Sequence, residues 1–180
     1  MKKLSIILLA VVLGACGPTI KVTYDYDKTA DFAKFKTYGY TEDALKLPVQ
    51  ELNRNRVISA IDKELAARGL SRATDPDVWI DLQVKTQQRQ EATATNSGGM
   101  YGYGRRYGYG GGFTTTQVNV ETYLDGTLFI NMISQDKLVW QGRGTATLDE
   151  TASPERREQN INYGVAEIFK KYPIQPPAMK

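Results

Sequence analysis

The chain has 180 residues but no histidine, and only one cysteine, Cys16. Without histidine there is no imidazole general base, no Ser-His or Cys-His nucleophile pair and no imidazole ligand for zinc. With one cysteine there is no disulfide within the chain, even in an oxidising compartment. A Gly-x-Ser-x-Gly nucleophile elbow is absent as well. Neither sign of charge dominates: 23 Lys and Arg stand against 20 Asp and Glu. Two of the basic residues, Lys2 and Lys3, lie in the leader described next. Without them the chain is nearly neutral, and no global attraction to nucleic acid or acidic lipid follows. The run Leu4 to Leu13 is almost wholly apolar but makes only ~15 Å of helix, half of a ~30 Å hydrocarbon core.

What is present begins with that run. A basic start, ten greasy residues and small residues at Gly14 and Ala15 form a secretion signal over 1–15, cut between Ala15 and Cys16. Leu13-Gly14-Ala15-Cys16 resembles the bacterial lipobox, in which the thiol takes a thioether-linked diacylglycerol and the freed amine is acylated. Cys16 is therefore expected to carry lipid, with 16–21 as a tether and 22–180 as a single domain. Gly17 stands where an Asp would hold such a protein at the inner membrane. The expected place is the outer membrane, lipid-anchored and facing the periplasm.

Along the domain, Ile20, Val22, Tyr24 and Tyr26 alternate with polar residues as in a half-buried strand, and Thr37 to Tyr40 make a second. A helix from about Gln50 to Arg68 carries Val57, Ile58, Ile61 and Leu65 on one stripe, with Arg54, Asp62, Lys63 and Arg68 turned outward. It has no convincing N-cap. Gly69 ends it in a left-handed turn that brings Leu65 and Leu70 together. Asp75-Pro76-Asp77 is a turn. The strand after it, running toward Arg89, turns Ile80, Leu82 and Val84 to one side and Trp79, Asp81, Gln83 and Lys85 to the other.

Residues 98–112 hold eight of the sixteen glycines and four of the eleven tyrosines. Such a segment lacks the apolar surface to offset its ordering entropy, so 97–112 is expected to be a mobile Gly/Tyr-rich surface loop. Beyond it, Thr114 to Leu124 and Thr127 to Ser134 are expected to form a hairpin around Asp125-Gly126. A two-residue turn there would set Val120 opposite Asn131. A three-residue loop, with Gly126 left-handed, pairs Val118 with Met132, Val120 with Ile130 and Thr122 with Leu128, and only this register gathers the apolar residues on one face. Gln135 and Asp136 turn into a strand from Leu138 to Leu148, with Leu138 and Trp140 on the inner face. Gly142 and Gly144 leave room there for a close helix. The last helix starts with Ser153 as N-cap and Pro154 at N1, buries Ile161, Val165, Ile168, Phe169 and Tyr172, and stops at Pro173. The fold class is α+β: a two-layer sandwich of a mostly antiparallel sheet with two amphipathic helices on one face.

Asp25, Asp27 and Asp31 suggest calcium, but the EF-hand pattern requires Gly and Glu where this chain has Ala30 and Lys36. They read as solvated strand-end charges, so no metal and no cofactor is expected beyond the covalent lipid. Trp79 and Trp140 read as sheet packing. Tyr101, Tyr103, Tyr107 and Tyr109, whose rings offer stacking faces, with Arg105 and Arg106 are candidate contacts to an envelope protein or peptidoglycan. Gly/Arg-rich RNA-binding segments are superficially similar, but the expected compartment excludes nucleic acid.

Several short motifs occur in a specific order: Asp31-Phe32 and Lys36-Thr37-Tyr38, Leu65 to Leu70, Gly126 to Ile130, Leu138 to Gly142, and Tyr172-Pro173. In this the chain resembles a widespread bacterial lipoprotein family known only as a domain of unknown function. It departs from that pattern at Asn131, where the family often has Asp, and at Tyr172-Pro173-Ile174, where it has Phe-Pro-Pro. The resemblance implies an envelope lipoprotein domain and brings no catalytic residues. The expected role is a membrane-tethered interaction or structural module without enzymatic activity. Two alternatives stay open. An Asp/Glu-dependent hydrolase acting on peptidoglycan or polysaccharide would need paired carboxyl groups ~5–10 Å apart. A periplasmic ligand carrier would need an apolar cavity between helices and sheet.

Overall fold

A computed structural model describes residues 19–97 and 115–177. The elements are β1 (Lys21–Tyr26), a single 3₁₀ turn (Phe32–Lys34), β2 (Thr37–Tyr40), α1 (Glu42–Leu45), α2 (Glu51–Ala66), β3 (Ser71–Arg72), β4 (Val78–Ser97), β5 (Thr115–Ser134), β6 (Lys137–Thr147) and α3 (Pro154–Phe169). The strands form one six-stranded sheet in the order β1-β6-β5-β4-β2-β3.

The fold is α+β as expected, but the sheet is mixed. The pairings β1–β6, β6–β5 and β5–β4 are antiparallel, whereas β4–β2 and β2–β3 are parallel. The cause is the connection. The chain leaves β2 through α1 and α2 before returning, and a helical crossover delivers its strand parallel to the one it left. The start of this parallel pair is fastened by Asp77. Its Oδ2 accepts hydrogen bonds from Lys36 N (2.8 Å), Thr37 N (2.9 Å) and Thr37 Oγ1 (2.9 Å), and its own N–H donates to Thr37 Oγ1 at 2.9 Å.

The backbone N–H of Lys36, then the Thr37 hydroxyl and N–H, hold the Asp77 carboxyl below its ordinary range. A carboxyl lowered in the folded state stabilises the fold above the unfolded value of about 3.9 and loses that contribution as pH falls through the lowered value. Asp77→Ala is therefore expected to lower the melting midpoint at neutral pH, and its deficit relative to the parent should shrink in acid. Thermal melts recorded from pH about 6 down to about 2 check this.

The hairpin expected around Asp125-Gly126 does not form. β5 runs unbroken through these residues, pairing Asp125 with Gln87 and Thr147, and Gly126 with Thr86 and Ala146. The even-numbered residues from Val118 to Met132 share one face in a continuous strand just as they would across the expected hairpin. The alternation alone therefore cannot separate the two, and pairing on both edges overrides the local turn signal. β4 correspondingly extends past Arg89 to Ser97, and the ten pairs from Gln88↔Leu124 to Ser97↔Thr115 form a two-stranded ribbon beyond the last pairing with β6. Residues 98–114, the core of the expected mobile loop, lie outside the described residues. The expected turn at Gln135-Asp136 is present, both residues at positive φ (50° and 60°), as a tight two-residue hairpin requires.

One face of the sheet carries the core. Register aligns Tyr40, Ile80, Met132 and Trp140 in one row, and Leu82, Ile130 and Gly142 in the next. Helices α2 and α3 pack against this face and each other. Trp140 lies against Phe169 and Tyr172, with ring centroids 5.5 and 5.4 Å away. Leu138 departs from its expected inner position and is 52% exposed. An irregularity sets Met132 opposite Trp140 but Ile133 opposite Leu138, so Val139 is the extra residue and takes the buried place. Gly142 and Gly144 do admit a helix: a Cβ on either would lie 2.4 and 2.8 Å from Ile168 of α3.

The helix ends follow local chemistry. Gln50 opens α2 without a side-chain cap. At its end Gly69 has φ +82°, and the Leu70 N–H donates to Leu65 O at 3.1 Å, with both leucines buried. Ser153 caps α3 by accepting from Arg156 N at 3.3 Å, with Pro154 at the first position.

Candidate functional site

Ala15 and Cys16 lie outside the described residues, as do Tyr101, Tyr103, Arg105, Arg106, Tyr107 and Tyr109. The ribbon carries 97 and 115 at its far end, ten residue pairs or ~30 Å beyond the last pairing with β6. Residues 98–114 therefore join the chain there. At the opposite end of the described chain, Ile20 is wedged between sheet and helix. Its Cγ2 lies 3.7 Å from where a Cβ on Gly144 would stand, and its Cδ1 3.3 Å from one on Gly164.

Ile20 also forms part of the wall of a cavity of about 460 Å³ between α2, α3 and the sheet. Aliphatic side chains of Leu47, Val57, Val84, Leu128, Val165 and Ile168 line its interior. Among the described residues that line it there is no aromatic ring. The polar lining residues include Asn53 and Gln50 at the start of α2, Asn160 on α3, and Asp149, Glu150 and Arg157 around the β6–α3 connection. The Arg157 and Asp149 side chains are engaged locally. Arg157 donates from Nε to Ala152 O at 3.0 Å and from Nη2 to Glu150 O at 2.6 Å. Asp149 accepts from Thr151 Oγ1 (2.7 Å) and Thr151 N (3.0 Å), bonds that hold its carboxyl below the ordinary range. The connection is thus stapled from both sides. What this arrangement can do chemically is enclose a slender apolar group.

Two further polar clusters are structural ties. Tyr38 and Tyr40 on β2 donate their hydroxyls to the same Oδ1 of Asp62 on α2, at 2.8 and 2.7 Å, and Arg72 lies over the Tyr40 ring at 4.9 Å. Burial, and then the bond to Asp62, raise both phenols above their ordinary range, so they stay protonated donors. Asp62 was expected to point outward; instead it holds helix to sheet. On the other face of the sheet, Asn131 donates to Asp81 Oδ2 at 3.1 Å and accepts from Gln141 Nε2 at 2.8 Å. The amide at 131 turns what a second carboxylate would make a repulsive pair into a hydrogen-bonded row.

The sequence did not place the cavity. Its only local signals are small residues on facing elements, Gly144 and Ala146 on β6 and Gly164 on α3. Among the described residues no group of three or more Asp, Glu, Cys or His side chains is placed to hold a metal, and no helix is long and apolar enough to cross a membrane.

Fold and cavity together define an α+β domain with a mixed sheet and an apolar space under its helical layer. The chain belongs to the family described as Domain of unknown function (DUF4136), whose sequence profile matches residues 22–174. No curated protein sequence matches it. Among solved structures it is similar to a PDZ domain protein from Parabacteroides distasonis, at 16% identity and a TM-score of 0.51, over 99% of this chain and 41% of that one. It therefore spans less than half the length of that protein. It is also similar to PelC from Paraburkholderia phytofirmans, solved as a dodecamer, at 13% identity and a TM-score of 0.48, over 88% of this chain and all of that one. At these identities the likeness concerns the fold alone.

Proposed function

We propose that this protein is a lipid-anchored envelope lipoprotein, held through Cys16 at the outer membrane and facing the periplasm, whose body is a non-enzymatic binding module for apolar ligands. The observation that carries the reading is the position of the aliphatic cavity. Ile20, on its wall, follows Cys16 by four residues, so the binding space lies within a short tether of the bilayer. Each buried methylene contributes about 0.8 kcal/mol, and several chains on one residue make attachment effectively permanent. Anchoring then raises the local concentration of the module, so weak contacts suffice.

Of the two alternatives, the cavity favours the ligand carrier over the hydrolase, because its interior is aliphatic and the Asp149 carboxylate is tied into the neighbouring loop. The Tyr/Gly/Arg segment, joined to the tip of the β4–β5 ribbon, is proposed as the contact to an envelope protein or peptidoglycan. Cys16→Ser is expected to move the protein from the membrane to the soluble fraction, and intact mass should show the parent carrying a diacylglycerol and an amide-linked acyl chain. A parent with an unmodified Cys16, or a serine variant that fractionates with membranes as the parent does, overturns the anchoring reading.

A further inference from the structure

We infer that the cavity between α2, α3 and the sheet holds one acyl chain of the lipid attached to the protein's own Cys16. This rests on the anchoring reading above and not on the carrier reading, and it assigns the cavity to a group the protein itself carries. Three observations lead there.

The first is chemistry. The interior is aliphatic and, among the described residues, no aromatic ring lines it, so planar or sugar ligands find no stacking platform there, while a flexible hydrocarbon needs none. The volume of about 460 Å³ sits in the lower part of the ~300–1,000 Å³ range of small-ligand sites, room for one slender chain.

The second is reach. Residues 17–19 are all that separate Cys16 from Ile20 on the wall. Four extended residues span at most ~14 Å. A chain on Cys16 is therefore presented to the cavity at high effective concentration, without leaving the protein.

The third is charge. A free fatty acid brings a carboxylate, and a phospholipid brings a phosphate. Among the described residues Arg157 is the one cation lining the cavity, beside the acidic residues Asp149 and Glu150, and its Nε and Nη2 are engaged by Ala152 O and Glu150 O. Anions are disfavoured beside them. The acyl chains of a lipidated cysteine end in uncharged amide and ester groups, and these suit such a rim.

The test uses the full-length protein in membranes, its lipid labelled metabolically with a diazirine-bearing palmitate analogue. After irradiation, the expected product is an intramolecular cross-link from the amino-terminal lipopeptide to peptides containing Val57, Leu148 or Val165. Filling the space with Val84→Phe or, separately, Ala146→Leu excludes part of the chain sterically and should lower that yield severalfold. The two sites are on different strands, and thermal melts identify a variant that has not folded. A yield unchanged in a folded, filled variant overturns the inference. So do cross-links confined to bilayer lipid or to other surface peptides. A parallel arm supplies a diazirine phospholipid in phosphatidylethanolamine–phosphatidylglycerol vesicles. Labelling of the cavity by that lipid, and not by the Cys16-bound chain, assigns the space to membrane lipid and overturns the commitment to the anchor. Intact mass from the same samples separates this from failure of the anchoring reading, which appears as Cys16 without lipid.

Discussion

Arg68→Ala is expected to lower the free energy of unfolding by about 3–5 kcal/mol, the cost of removing one partner from a buried ion pair. The Arg68 side chain is only 2% exposed. Its Nη1 donates to Glu64 Oε2 at 2.7 Å and to Glu64 O at 2.8 Å, its Nη2 to Phe169 O at 2.9 Å, and its Nε to Ile174 O at 3.0 Å. The guanidinium also lies over the Phe169 ring, 5.3 Å from its centroid. One side chain thus joins the end of α2, the end of α3 and the segment that follows Pro173. Truncation leaves three carbonyl groups without this donor and Glu64 without its cation. With total stability of order 5–15 kcal/mol for a domain, the loss is a large share. Lysine keeps the charge but not the planar fork, so Arg68→Lys should recover less than half of it. Urea denaturation checks both: the midpoint should fall with the slope unchanged, and an Arg68→Ala midpoint within error of the parent rejects the clamp.

Arg68 also marks where sequence reading stops. Helical spacing puts it on the stripe of Val57, Ile61 and Leu65, three residues past Leu65, and only its charge is why it was expected in solvent. It is buried because Phe169 and Ile174, about a hundred residues away, close over it. Asp62 was misplaced for the same reason, since its partners Tyr38 and Tyr40 belong to another element. What could be read was local. The Gly69 stop, the Ser153 cap, the turn at Gln135-Asp136 and the alternating faces of β4 all depend on neighbours within a few residues. Asp125-Gly126 shows the converse, a strong turn signal overruled because β4 and β6 offer hydrogen bonds on both sides. The cavity was less legible still. It is the space left between two layers, and no residue announces it. Only Cys16 and the tether length, both plain in the sequence, give that space a proposed occupant.

Gly142 was legible, and it supports the second large prediction. A Cβ there would lie 2.4 Å from Ile168 Cγ2 and 2.4 Å from Trp140 Cη2. Neither neighbour has room to retreat. Trp140 is fully buried and packed against Phe169 and Tyr172, and Tyr172 is itself held by burial that pushes its hydroxyl up to about 12. Ile168 is 1% exposed and already within 2.8 Å of the place a Cβ on Gly144 would take. Gly142→Ala must therefore push α3 off the sheet or force an unfavourable rotamer, and it is expected to cost about 3 kcal/mol, the upper part of the range for overpacking. Ile168→Ala alone should cost about 2–5 kcal/mol by leaving a hole. Combined, the two changes should cost at least about 1 kcal/mol less than their sum, because the smaller helix residue vacates the space that the new methyl needs. Strict additivity in a double-mutant cycle measured by urea unfolding would mean that the helix does not rest on this glycine.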